Sequence, residues 1–286
     1  ETLAPVALDI TTMRRVVDRE GGCIVWGGAM HLSPADDILI RVERPLDLDS
    51  EGQMIASILS KKAAAGSTHV VIDMPVGATA KVRDQKTARS LSALLTEVGK
   101  AVGLEVRVVI TDGTQPVGRR IGPALEARDV LAVLQGAPGA PRDLRDRAAH
   151  LAAEILEMAN KAAAGAGITL ARAILDDGRA WRKFQAICES QGGMRVPPRA
   201  AHTEVVTATR AGTVKLIDNR RLARIAKLAG APTSPAAGLE LHSPVGTTVE
   251  RNQPLFTVHS EAPGELAYAL AYVAANPAIF HIEEPS

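Results

Sequence analysis

A serine and three lysines around one helix–strand junction raise the chemical question. In "IASILSKKAAAGSTHVVIDMPVG", residues 55–77, Ser57 and Lys61 stand four positions apart. On a helix both side chains then leave the same face and can touch one ligand. Met54, Ile55, Ile58 and Leu59 form an apolar arc beside them, and Lys62 points nearly into that arc. A lysine buried there without a partner is costly, so it must snorkel or meet an acid or a ligand. Lys81 follows the next apolar run, in the loop "PVGATAK", where α/β proteins place ligand contacts. The plainer reading also stands: lysines in the last turn of a helix oppose its dipole favourably, by about 0.3–1 kcal/mol.

Other candidates flank this stretch. Asp49 precedes "SEGQM" as the natural N-cap of the helix, and is otherwise a general acid beside a bound ligand. Arg41, inside "ILIRVE", pairs with an acid such as Glu43 or reaches a ligand. "TDGTQPVGRRIGPALEARD" has turn chemistry and a Gly-Pro helix start. It reads as an ordinary loop, or as one exposing carbonyls to a cation with Asp129 supplying charge. The seven histidines are scattered singly without metal-ligand spacing, which makes them structural. No GxSxG, HExxH or Walker A stretch occurs.

The elements that must position these residues alternate. Residues 10–20 read as an amphipathic helix and "GCIVWGGA" as a buried strand flanked by glycines. Residues 50–65 are helical with Gly66 as the stop, "THVVIDMPVG" is a strand, "RDQKTARSLSALLTEVGKAVG" a helix and "EVRVVITDG" a strand. "GPALEARDVLAVLQG" and residues 143–166 continue as helices. Strand and helix alternating at this spacing predict an α/β sheet packed with helices. After the composition shift at 192–201, strand-like, turn-rich segments are interspersed with helices at 219–229 and about 263–275, ahead of a last strand, "AIFHIE". The expected domains are therefore 1–197 and a small α+β domain, 202–286, with Pro197-Pro198 marking the boundary.

Composition narrows the function classes. The 286 residues carry 33 basic and 32 acidic side chains, a net charge of +1. Neither nucleic acid nor a membrane surface is an electrostatic partner for such a chain. Aromatics make up 2%, too few for base-stacking platforms. Cys23 and Cys188, without a CxxC pair, argue against a disulfide framework or a zinc site and suit a reducing compartment. No apolar run approaches the roughly 20 residues of a membrane span, and no signal-peptide pattern opens the sequence as given. A cytoplasmic protein is expected.

Several stretches are more specific than this. "LSPADDILIRVERPLDLDSEGQMIASILSKKAAAGSTHVVIDMPVGATAKV" and "ITDGTQPVGRRIGPALEARDVL" resemble the thymidine phosphorylase family, most closely its bacterial branch and the archaeal AMP phosphorylases. "AGTVKLIDNRRLARIAKLAGAP" and "SPVGTTVERNQPLFTVHS" are similar to the C-terminal domain of pyrimidine nucleoside phosphorylases. The resemblance implies a catalytic-domain portion with a central sheet flanked by helices, residues 34–66 contributing to a helical subdomain. It implies phosphorolysis of thymidine to thymine and 2-deoxyribose 1-phosphate. The alternative is cleavage of AMP, or another nucleoside 5'-monophosphate, to free base and ribose 1,5-bisphosphate. Inorganic phosphate is the implied co-substrate, with no organic cofactor, and the implied assembly is a homodimer or higher homo-oligomer.

Carried over by position, Arg41, Ser57 and Lys61 fall where the pyrimidine enzymes hold the base. Asp49, Ser57 and Lys81 fall where AMP phosphorylases have the proton donor and two nucleotide contacts. The carbonyls of Val117 and Arg120, with Asp129, correspond to a monovalent-cation site. Two departures accompany the match. The family's phosphate loop, of the Lys-His-Ser-x-Gly-Gly type, would lie upstream of residue 1, so the expectation is a C-terminal portion, inactive by itself. Val42 stands where pyrimidine-specific enzymes carry aspartate. A non-catalytic assembly module is the reading from another class; against a carrier role, Lys215 sits inside the strand-like "GTVKLI" and not at a hairpin tip.

Overall fold

The computed structural model describes residues 1–30, 38 and 51–283. Arg41 and Asp49 lie outside these residues. Helix α1 (Ile10–Glu20) starts where Asp9 accepts a hydrogen bond from the Thr12 amide at 2.6 Å and ends at Gly21 in the left-handed conformation. The expected buried strand over "GCIVWGGA" does not form. Instead the Ile24 amide and carbonyl both bond to the carboxamide of buried Gln191, at 2.7 and 2.8 Å. One glutamine thus takes the place of a sheet partner, and Trp26 is left 62% exposed.

The alternation read from the sequence is present as α2 (Glu51–Ala64), β1 (His69–Val76), α3 (Gln85–Ala101) and β2 (Glu105–Asp112). Gly66, at φ 71°, ends the first helix, and Asp84 caps the second by accepting from the Lys86 and Thr87 amides, both at 2.9 Å. β1 and β2 pair in parallel, from His69 opposite Glu105 to Val76 opposite Asp112. Ile55 and Leu59 of α2, Leu91 and Leu95 of α3, and Val70, Met74 and Val106 of the strands bury one shared core.

Next come β3 (Arg120–Ile121), α4 (Pro123–Leu134), α5 (Arg142–Met158), α6 (Gly167–Asp176) and α7 (Arg179–Ser190). The helix expected over 143–166 stops at Met158: Asn160 adopts φ 54°, and the Lys161 amide folds back to the Leu156 carbonyl at 2.8 Å.

The C-terminal unit holds β4 (His202–Thr207), β5 (Gly212–Ile217), α8 (Asn219–Leu228), β6 (Gly238–Leu241), β7 (Thr248–Val249), β8 (Pro254–Ser260), α9 (Pro263–Ala275) and β9 (Phe280–Glu283). Its strands, joined by β3, make two antiparallel sheets, ordered β3-β6-β8-β4 and β7-β5-β9. Leu222 and Ile225 of α8 share one buried core with Val214, Ile217, Leu239 and Val258. Phe256 and Phe280 stack with ring centroids 5.6 Å apart. Lys215 lies within β5 with its ammonium 3.8 Å from Glu283. The architecture is α/β followed by an α+β unit. Among the described residues no helix is long and apolar enough to cross a membrane.

β3 precedes the composition shift in sequence yet pairs with β6 of the later unit, Arg120 opposite Glu240. Gly238, at φ 150°, permits this: a Cβ there would stand 1.9 Å from the Ile121 carbonyl oxygen. Arg120 then reaches Asp129 of α4 and Glu240 of β6, each at 2.5 Å. The Glu240 carboxyl is held down to about 2, first by the neighbouring imidazole of His259 and then by the Arg120 guanidinium, against the opposing effect of burial. His259 Nε2 is 3.7 Å from Glu240, so it acts here as a nearby polar group and not through a formed hydrogen bond.

Because the folded-state value lies below the ordinary 4.5, the folded chain binds fewer protons than the unfolded one between these limits. The stability from Glu240 is complete above about pH 4.5 and drains away as pH falls toward 2. Glu240→Gln is expected to flatten the fall in Tm across that window. A slope identical to that of the wild type would show that Arg120 gains nothing from the charge.

Candidate active site

Parallel strands leave their loops together at the C-terminal edge, which is where open α/β sheets bind ligands. Here β1 runs into residues 77–82 and β2 into residues 113–119. The first loop is a closed turn: the Gly77 amide donates to the Val82 carbonyl at 3.1 Å and the Ala80 amide to the Gly77 carbonyl at 2.9 Å. Buried Val82 anchors it and Lys81 stands exposed beside it. The second loop starts against the first, with the Gly113 amide donating to the Val76 carbonyl at 2.9 Å. A Cβ on Gly77 would come within 2.6 Å of the Gly113 carbonyl, so only glycine lets the two backbones approach this closely.

The loops frame a cavity of about 410 Å³, a volume within the range of small-molecule sites. Met54 and Ile58 of α2 and Ile72, Met74 and Leu95 of the core line its apolar side. Lys81, Asp73, Arg147, Gln115 and Asn219 supply polar groups. Asp73 accepts from the Thr111 hydroxyl at 2.5 Å, and Arg147 sits 3.5 Å from Asp73 and donates to the Asp112 carbonyl. The acid and the arginine therefore balance each other at the strand ends, while Lys81 brings positive charge to the rim.

Of the residues expected from the sequence, Lys81 lines the cavity. Ser57 and Lys61 lie half-buried on the arc of α2 adjoining Met54 and Ile58, outside the lining. They share one face, as their spacing requires. Lys62, expected to point nearly into the apolar arc, is exposed; it and Lys61 occupy the last turn, where the helix dipole favours cations. Arg41 and Asp49 are outside the described residues.

In the set Val117, Arg120 and Asp129 the acid is engaged by its own neighbours. Asp129 is 2% exposed, and its two oxygens accept from the Arg119 amide at 2.7 Å and the Arg120 guanidinium at 2.5 Å. Arg120 itself supplies the positive charge that this carboxylate faces. Among the described residues no group of three or more His, Cys, Asp or Glu could hold a metal ion. Val117 lines the cavity instead.

Sequence reasoning missed Asp73, Arg147 and Asn219. Asp73 had a signal, being the one charge inside the apolar run "HVVIDMPV". Arg147 had none, since it comes from α5, distant in sequence. Asn219 follows a capping aspartate and reads as an ordinary helix start.

Residues 213–279 match the family described as "Pyrimidine nucleoside phosphorylase C-terminal domain". "Putative thymidine phosphorylase 2" of Acidovorax sp. (strain JS42) is 67% identical over 99% of this chain and 55% of its own length. "Putative thymidine phosphorylase" of Polaromonas sp. (strain JS666 / ATCC BAA-500) is 65% identical over 99% of this chain and 56% of its own length. The protein of that name from Legionella pneumophila (strain Paris) is 63% identical over 94% of this chain and 52% of its own length. The chain thus spans about half the length of the curated relatives it matches.

Proposed function

We propose that the chain belongs to the thymidine phosphorylase family, whose named relatives it matches along the residues that align, and that the whole protein cleaves thymidine with inorganic phosphate. A phosphate oxygen attacks C1' of the deoxyribose as the glycosidic C–N bond breaks. The sugar leaves as 2-deoxyribose 1-phosphate, and the departing thymine anion takes up a proton. The transition state resembles an oxocarbenium ion. Developing charge on the base calls for cationic or hydrogen-bonding donors held in place beforehand. Ser57 and Lys61, with Arg41, are assigned to the base, and Lys81 to the sugar or phosphate side.

The single observation that carries this reading is the cavity at the ends of β1 and β2, with Lys81 on its rim and Met54 and Ile58 of the Ser57–Lys61 helix in its wall. A second reading, phosphorolysis of AMP, is favoured by the lining itself. Lys81, which belongs to the nucleotide pattern, lines the cavity, whereas Lys61, which belongs to the pyrimidine pattern, does not. In that reading Asp49 protonates the purine.

The test is a hybrid in which residues 1–286 replace the matching part of the Acidovorax relative. Phosphate-dependent base release from thymidine, uridine, AMP and CMP is compared at equal concentration. Thymidine is expected to react fastest. Release from AMP alone would replace the first reading with the second, and release from none would refute both.

A further inference from the structure

We propose that Asn219 is a positioning residue through which the C-terminal unit holds both loops of the cavity in place. The proposal rests on the reading of that cavity as the substrate site. Asn219 opens α8, and its Nδ2 donates to the Gly113 carbonyl at 3.0 Å. Its backbone amide donates to the Thr79 hydroxyl at 3.4 Å, and the next residue, Arg220, donates from Nε to the Thr79 carbonyl at 3.2 Å. The first residue of this helix therefore touches both loops. Elsewhere the second loop has its own tie, from the Val245 amide to Gln115 Oε1 at 2.8 Å.

Helix physics does not explain this asparagine. Asp218 already caps α8, accepting from the Arg220 and Arg221 amides at 3.0 and 3.1 Å. The position after the cap favours an acid, which would complement the helix dipole. Moreover, Asn219 Oδ1 is sealed from solvent without a hydrogen-bond partner, an arrangement proteins avoid unless something else requires it. What requires it is the donor: the amide bonds the Gly113 carbonyl, which an aspartate at this position could not do. That carbonyl is also the group against which Gly77 packs. Gly77, Gly113 and Asn219 form one junction, and Lys81 stands on the turn that begins there.

The discriminating substitution is Asn219→Asp, which suits the helix but loses the donor and sets a carboxylate against a carbonyl. Hydrogen exchange on the chain as it exists is expected to run about tenfold faster in both loops, 77–82 and 113–117, with residues 222–228 of α8 unchanged. Thymidine binding by calorimetry is expected to weaken by a similar factor. Gln115→Ala, which leaves α8 intact, should loosen the second loop alone. Unaltered exchange in either loop of Asn219→Asp overturns the proposal, as does equal thymidine affinity in wild type and variant. So does loosening of both loops by Gln115→Ala. If Asn219→Asp unfolds, Asn219→Ala, which removes the donor without adding a charge, is read by the same criteria. Absence of thymidine binding by the wild type would instead count against the substrate reading, and the exchange results would still decide the role of Asn219.

Discussion

Lys81→Ala in the hybrid is expected to lower phosphorolysis by about a hundredfold or more while shifting Tm by no more than about 2 °C. The two effects separate because Lys81 is exposed and the turn that carries it is closed by backbone bonds, Gly77 to Val82 and Ala80 to Gly77. Removing the side chain leaves those bonds and the buried Val82 anchor in place. The loss includes positive charge at the rim of a partly apolar cavity, where it is less screened than in water. If activity and Tm fall together, Lys81 supports the loop and does not serve the ligand.

Gly238→Ala is expected to destabilise the chain by about 3 kcal/mol or more, combining a disfavoured backbone conformation with overpacking. The added carbon would lie 1.9 Å from the Ile121 carbonyl oxygen and 2.9 Å from Leu125. Neither neighbour gives way easily, since the first is backbone in β3 and the second is 1% exposed. A lowered urea midpoint with an unchanged slope would register as lost stability alone. The substitution also tests whether the pairing of β3 with β6 matters to the whole chain. A midpoint unmoved by it would mean that the two strands separate at no cost.

The parts of the fold legible in the sequence were those set by local periodicity and end signals. Residues 10–20, the 50–65 helix with its Gly66 stop, and the strands and helices after residue 202 all carried both kinds of signal. The failures have a common cause in long-range partners. Nothing in "GCIVWGGA" announces that a glutamine at position 191 will take up its backbone groups. The β3–β6 pairing joins residues far apart in sequence. The place of Lys81 in the cavity lining was legible because it follows a buried strand in sequence. Asp73, Arg147 and Asn219 converge only when β1, α5 and α8 are packed. Nor does the sequence of the expected cation set show that Arg120 pairs with Asp129.

The most direct measurement is phosphorus NMR of the hybrid protein incubated with thymidine and inorganic phosphate. The account predicts that the phosphate signal declines as a sugar 1-phosphate ester grows, in step with free thymine, and that thymine is not released when phosphate is withheld. Thymine released without phosphate, as free deoxyribose and with no ester signal, would make the enzyme a hydrolase and contradict the account.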